Sequence, residues 1–216
     1  MKNIIFIAPP AAGKGTQSKL LVNNLGYEHI STGDILREEI ALGSDLGVLA
    51  KSIIDNGNLV PDDIMIDIIK KKFDSIKGKP FILDGFPRTI NQAYALSNIL
   101  DDNFITVYMY LDKEIAKKRI VGRLSCLTCG KSYNEFDEKL MPKVNGICDV
   151  CGSSLVKRAD DNEASFEVRY NSYIEKTEPI IDYYDKMGVL VKIDANNDRT
   201  NIYNSIVESI NRQEVK

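Results

Sequence analysis

The chain has 216 residues, 44% of them apolar and 27% charged, with 28 Lys and Arg against 31 Asp and Glu for a net charge of −3. That length and composition fit a folded protein with a substantial core and exclude a disordered chain. No global basic field recruits nucleic acid or an anionic membrane, and no stretch approaches the roughly 20 apolar residues of a membrane span.

Residues 3–7 open the chain as a strand, an apolar run of Ile4, Ile5, Phe6 and Ile7 that Pro9 and Pro10 end. Gly13-Lys14-Gly15-Thr16 then starts a helix predicted over 14–25, with Leu20, Leu21 and Leu25 as its apolar residues. A strand, a tight loop and a helix N-terminus bearing a lysine suit a nucleotide polyphosphate. Backbone N–H groups point outward, the helix dipole favours anions and the lysine adds a full charge. The spacing departs from the common phosphate-loop pattern, because Ala8 stands at its first glycine and Gly15 separates Lys14 from Thr16. An ordinary strand-to-helix turn with an incidental lysine is the competing reading.

Further strands are predicted at 28–31, 80–84, 104–110 and 189–194. Helices are predicted at 33–42, 45–55, 62–73, 90–99, 113–122, 163–187 and 200–212. The alternation predicts an α/β fold, a parallel sheet with helices on both faces. Ligands in such folds sit beyond the carboxyl ends of the strands, where Ala8, Asp84 and Asp112 fall. Residues 31–60, punctuated by Gly43, Gly47 and Gly57, and residues 123–160 break the alternation and read as inserts able to move against the sheet. Within 163–187, a stripe running from Phe166 through Tyr170 and Tyr173 to Tyr184 reads as core packing, and Pro179 predicts a kink. His29, the one histidine, is assigned no role.

All four cysteines fall in one window, Cys126 and Cys129 as one pair, Cys148 and Cys151 as the other, with residues 130–147 between. That double-pair spacing fits a closed four-thiolate zinc site, structural because four protein ligands leave no open position. Two disulfides, which a reducing compartment disfavours, or thiols that never meet are the alternatives. The N-terminus enters a strand almost at once, which predicts no cleaved signal peptide and a cytoplasmic location.

Asp84-Gly85-Phe86-Pro87-Arg88 follows a buried strand, so Asp84 can reach a hydrated Mg²⁺ and Arg88 a phosphate. Arg37 lies in the first insert. Arg119 and Arg123, four apart, are expected on one face of the helix leading into the second, while Arg158 and Arg169 lie where the chain leaves it. Phosphoryl transfer depends on such convergent cations, since its transition state spreads negative charge over the migrating group. Surface ion pairing is the ordinary alternative for each arginine.

These motifs carry a resemblance over essentially the whole chain. Gly13 through Gln17, Ser31 through Arg37, Gly57 through Val60, Asp84 through Arg88 with Gln92, Val121 through Leu124, the four cysteines, Arg158 through Asp161, Arg169 and Ile193-Asp194 occur in order. In these the chain resembles the nucleoside monophosphate kinases, specifically the bacterial adenylate kinases with a long, zinc-containing lid. The resemblance implies a P-loop NTPase-like core over 1–30, 61–122 and 161–216, an NMP-binding insert over 31–60 and a zinc-stapled, β-rich lid over 123–160. It implies reversible transfer of the terminal phosphate of Mg-ATP to AMP, giving two ADP, by a monomer with no nucleic-acid or membrane partner. Mg²⁺ would accompany ATP, and Zn²⁺ would sit in the lid.

By motif position, Ala11, Ala12, Gly13, Lys14, Gly15 and Thr16 would cradle the ATP phosphates. Arg119, Arg123, Ser132, Tyr133 and Asn197 would cover the rest of that nucleotide. AMP would fall to Thr32, Arg37, Asn58, Leu59 and Val60 on the insert, and to Gly85, Phe86, Pro87, Arg88 and Gln92 on the core, Gln92 reading the adenine edge. Arg158 and Arg169 would bridge the phosphates, Asp84 would hold water around Mg²⁺, and Asp160 and Asp161 would help latch the lid. Lys14, Arg37, Arg88, Arg123, Arg158, Arg169 and Asp84 would thus carry catalysis. Ala8, Ala11 and Ala195 replace glycines of the family pattern. Pro9 and Pro10 restrict φ around the first turn, so Ala8 and Ala11 are expected in ordinary backbone regions. Another nucleoside monophosphate kinase, a weakly catalytic nucleotide sensor and a zinc-ribbon nucleic-acid binder are the competing functions. The last is disfavoured by the sparse basic residues around the cysteines.

Overall fold

The computed structural model describes residues 1–76, 78–101 and 103–214. Lys77, Asp102, Val215 and Lys216, which fall in the expected core ranges, lie outside the described residues. In chain order the first elements are β1 (Asn3–Ile7), α1 (Lys14–Leu25), β2 (Glu28–Ser31), α2 (Thr32–Leu42), α3 (Asp45–Ile54) and α4 (Asp62–Ile76). There follow β3 (Phe81–Asp84), α5 (Ile90–Ser97), β4 (Phe104–Tyr110), α6 (Lys113–Val121), β5 (Arg123–Cys126), β6 (Ser132–Asn134) and β7 (Leu155–Val156). The chain ends with α7 (Glu163–Ser172), a π turn over Tyr173–Thr177, α8 (Pro179–Lys186), β8 (Leu190–Asp194) and α9 (Arg199–Glu214).

Five strands form a wholly parallel sheet in the order β2-β3-β1-β4-β8. Side chains alternate across β1: Ile4 and Phe6 enter one apolar cluster, Ile5 and Ile7 the other. Both faces of the sheet are therefore buried, which is why its strands read as nearly continuous apolar runs. The register sets Phe6 and Ser31 on either side of Asp84. The loops after β1, β2 and β3 consequently emerge together at one edge of the sheet.

Side-chain oxygens cap several helices: Ser31 accepts from the Asp34 N–H, Ser44 from Gly47, Thr89 from Gln92 and Asn162 from Ser165. Gly47 is not punctuation as expected but lies inside α3, where a Cβ would overlap the Glu39 backbone carbonyl, so its bare Cα lets α2 and α3 approach. The long C-terminal helix is also interrupted differently from the expected simple kink. The Glu178 N–H donates to Tyr173 O over five residues at 2.8 Å, a single π turn before Pro179, whose nitrogen has no hydrogen to give.

Residues 123–160 hold a second, antiparallel sheet of three short strands, β6-β5-β7. Arg123 does not continue α6. The helix stops at Gly122, and Arg123 begins β5 opposite Asn134. A side chain at Gly122 would meet Asn134 Oδ1 at 2.5 Å, so this glycine permits the turn out of the helix. The buried core of this sheet is small, Cys126, Tyr133 and Cys148 with Leu124 and Leu155 against them.

Candidate functional site

Gly13, at φ 92°, caps α1, and Lys14 begins the helix. Lys14 Nζ lies 3.5 Å from Ala8 O, folded back over the loop. Burial lowers its ammonium to about 8; Asp84 works against this, while Arg88, Arg169 and Arg123 reinforce it. Asp84 closes β3 beside the same loop, its Oδ2 3.8 Å from where a Gly15 Cβ would be. Burial tends to raise its carboxyl, but His29, Lys14 and Arg88 outweigh that and hold it below the ordinary value. His29, to which the sequence assigned nothing, stands with Nε2 3.5 Å from Asp84 Oδ2 because β2 pairs with β3.

The loop backbone overturns one expectation. Ala11 has φ 62°, the one positive φ outside glycine among the described residues. Ala8 has no positive φ, as expected. The neighbouring prolines leave Ala11 to make the turn, and left-handed backbone costs an alanine about 1–2 kcal/mol.

Across the cleft, Gly85 has φ 86°, and a Cβ there would strike Thr32 Oγ1 at 2.5 Å and Arg88 Nη2 at 2.8 Å. Thr32 donates its hydroxyl to Gly85 O at 3.0 Å. Arg88 donates Nε to Gly85 O at 2.8 Å, and its Nη atoms make no ion pair among the described residues. Its guanidinium is lowered first by burial, with Asp84 opposing. An open cleft of about 610 Å³ between the first insert and the sheet is lined by Thr32, Arg37, Asn58, Leu59, Val60, Gly85, Arg88, Gln92 and Arg169, all singled out from sequence, together with Asp160. Pro87 and Lys14 line an adjoining cleft of about 550 Å³ that shares Arg88 and Arg169. Phe86 does not reach either; it is fully buried in the core.

Of the remaining arginines, Arg123 and Arg158 belong to the second insert, Arg37 to α2, Arg119 to α6 and Arg169 to α7. Arg123 forms a two-pronged pair with Asp161, Nε to Oδ2 at 2.7 Å and Nη2 to Oδ1. Arg169 pairs with Asp160 at 2.8 Å. Arg158 makes no ion pair among the described residues and, like Arg169, is lowered to about 10, first by burial and then by neighbouring cations, with nearby aspartates opposing. Arg37 is held by Asp34 at 2.6 Å. Arg119 donates to Ala195 O at 3.1 Å, and the exposed Asn197 donates to Asp194 O at 3.4 Å, so both lie at the carboxyl end of β8. Ser132 is exposed on β6, but the Tyr133 ring turns inward. Tyr133 is buried, its hydroxyl 3.5 Å from Cys148 Sγ and accepting the Asp149 N–H at 2.8 Å. Its side chain faces the cysteines, since the strand's alternation sends neighbours to opposite faces.

The four cysteine sulfurs lie within 4.8 Å of one another, Cys126 to Cys151 at 3.4 Å and Cys129 to Cys148 at 3.5 Å. Those distances are far from a bonded disulfide. They approach the sulfur–sulfur edge of about 3.8 Å that four Zn–S bonds of about 2.3 Å define in a tetrahedron. The donor set and its spacing fit zinc.

A parallel sheet with a phosphate loop after its first strand, a buried acid at the neighbouring strand end and a ring of arginines defines a P-loop nucleotide-handling protein. A family model of adenylate kinases matches residues 6–189. The chain is 46% identical over 211 residues to an adenylate kinase of Methanosarcina barkeri, covering 94% of this chain and 96% of that protein. It is 43% identical to one of Borrelia turicatae, over 97% and 99%, and 42% identical to one of Vanderwaltozyma polyspora, over 97% and 96%. The chain belongs to the adenylate kinase family.

Two consequences of this geometry are measurable. Ala11→Gly relieves the left-handed alanine, worth about 1–2 kcal/mol, while glycine loosens the unfolded chain by about 0.4–1 kcal/mol. The net is a modest rise in melting temperature, read by thermal denaturation. A fall would show the alanine unstrained. Burial lowers the Lys14 ammonium to about 8, and a polyphosphate beside it would restore the charged form. Nucleotide binding therefore takes up close to one proton at about pH 9, and much less below about pH 7 where Lys14 is already charged. Calorimetry in buffers of different ionisation heat measures this uptake, and Lys14→Met abolishes it.

Proposed function

We infer that this chain catalyses the reversible transfer of the terminal phosphate of Mg-ATP to AMP, giving two ADP. The carrying observation is a set of half-buried cations: Lys14, Arg88 and Arg169 line the two adjoining clefts, Arg158 lies close to Arg37 and Arg123, and desolvation shifts each of the four toward its neutral form. A pure binding site gains little from desolvating so many cations. A reaction that moves a charged group between two phosphates gains at its transition state.

In this reading the loop amides and Lys14 hold the ATP phosphates at the N-terminus of α1. The cleft beside α2 holds AMP, its phosphate against Arg88 and Arg37. One oxygen of that phosphate attacks the terminal phosphorus of ATP; the new P–O bond forms as the bond to the departing ADP oxygen breaks. The attacking phosphate is already anionic, so no general base is required. Arg123 and Arg169 exchange part of their pairing with Asp161 and Asp160 for phosphate oxygens, and Arg158 joins them. Mg²⁺, when bound with ATP, neutralises phosphate charge, and the ionised Asp84 carboxylate would hold its water shell. Arg119, Asn197 and the backbone around Ser132 and Tyr133 serve the ATP end. The inserts over 31–60 and 123–160 close on the substrates and exclude water. No helix among the described residues is long and apolar enough to cross a membrane. In this reading the enzyme works in the cytoplasm on free nucleotides, as a monomer without a nucleic-acid or membrane partner.

Phosphate transfer from ATP to AMP, CMP, UMP and GMP tests the assignment. AMP is the preferred acceptor, and equal or faster turnover with CMP or UMP overturns it. Arg88→Ala lowers turnover by roughly 100-fold or more, about 3 kcal/mol at the transition state, with little change in melting temperature.

Zn²⁺ in the Cys126, Cys129, Cys148 and Cys151 site is structural in this reading. Metal analysis of reduced protein finds one zinc per chain, and stripping it lowers the melting temperature while activity at low temperature largely survives. Zinc-free protein with four reactive thiols overturns this.

A further inference from the structure

We propose that Asp62 is a positioning residue for base recognition, fixing which end of the Gln92 amide meets the acceptor base. The inference rests on the reading of Gln92 as the residue that contacts the AMP base.

A glutamine amide is nearly symmetric in shape, so either orientation fits most pockets. At Gln92 the two ends face partners of opposite kind. Oε1 accepts the Arg88 backbone N–H at 2.7 Å, and Nε2 donates to Asp62 Oδ1 at 2.8 Å. A backbone N–H can only donate and an ionised carboxylate can only accept, so a flipped amide would face donor with donor and acceptor with acceptor. The second carboxylate oxygen of Asp62 accepts the Thr89 hydroxyl at 2.8 Å, and that same Thr89 oxygen caps α5 by accepting the Gln92 N–H at 3.2 Å. Asp62, in the first turn of α4, is therefore held in place by the start of the helix that carries Gln92. Gln92 is almost wholly buried, so water offers little substitute for a lost partner.

Each end of the amide has one hydrogen-bonding position left over, a lone pair on Oε1 and an N–H on Nε2, and Gln92 lines the cleft. That pair matches an edge with an amino donor beside a ring-nitrogen acceptor, as adenine has. It opposes a 6-oxo purine, which presents an acceptor beside an N–H donor. Arg88 N–H alone biases the orientation; Asp62 makes the reverse one a collision of like groups.

The test compares AMP with IMP as acceptors for the wild type, Asp62→Ala, Asp62→Asn, Thr89→Val and Gln92→Ala. In Asp62→Ala, KM for AMP rises about 10-fold and the AMP-over-IMP ratio of kcat/KM falls by a similar factor, while kcat stays within about three-fold. Asp62→Asn, whose oxygen still accepts from Nε2, recovers most of the ratio. Thr89→Val frees the carboxylate without removing it and loses part of the ratio, which serves if Asp62→Ala does not fold. An unchanged AMP-over-IMP ratio in a folded Asp62→Ala, with Gln92→Ala impaired, overturns the proposal alone. An unchanged ratio in Gln92→Ala overturns the base-reading assignment beneath it.

Discussion

The site is organised around cations withdrawn from water without enough carboxylates to neutralise them. Lys14, Arg88, Arg158 and Arg169 are each shifted toward their neutral forms, with burial the largest cause. Such a cluster opposes itself. The rest of the fold holds it together: the parallel sheet brings Lys14 and Asp84 to one edge, and Asp160 and Asp161 brace Arg169 and Arg123. A polyanion supplies the missing charge, so substrate binding and completion of the site's electrostatics are the same event.

The base of the second insert follows from the same balance. Arg123 begins the strand that enters it and Asp161 lies where the chain leaves it, so their two-pronged pair ties its two stems together. Asp161 is buried and faces Arg169 as well, at 3.7 Å. Removing either partner strands a charge in a desolvated place, a larger loss than a surface pair would cause. Beyond that root the insert buries few apolar side chains, and its three short strands enclose mainly the cysteines and Tyr133. A core this small needs a staple, which is the physical reason for four convergent thiols.

The hydrogen bonds around Gln92 sit apart from this charge balance, among neutral amides, a hydroxyl and one carboxylate. Gln92, Thr89 and Asp62 form a closed set in which each partner fixes the role of the next. In the proposed reading, charge governs the phosphates and hydrogen-bond polarity governs the base, through different residues on neighbouring elements.

By itself the sequence determined what local rules govern. The apolar runs of β1, β3 and β4, the phosphate loop and the paired cysteines were legible because strand patterning, loop chemistry and Cys spacing act over a few residues. It went wrong where distant packing overrides local preference. Arg123 left the helix because Gly122 lies against Asn134; Gly47 became a packing contact; and Ala11 took the left-handed turn beside Pro10. The pairings of His29 with Asp84, Asp62 with Gln92 and Arg123 with Asp161 carry no local signal. They arise only when strand order and helix docking bring separate segments together, and tertiary structure alone decided them.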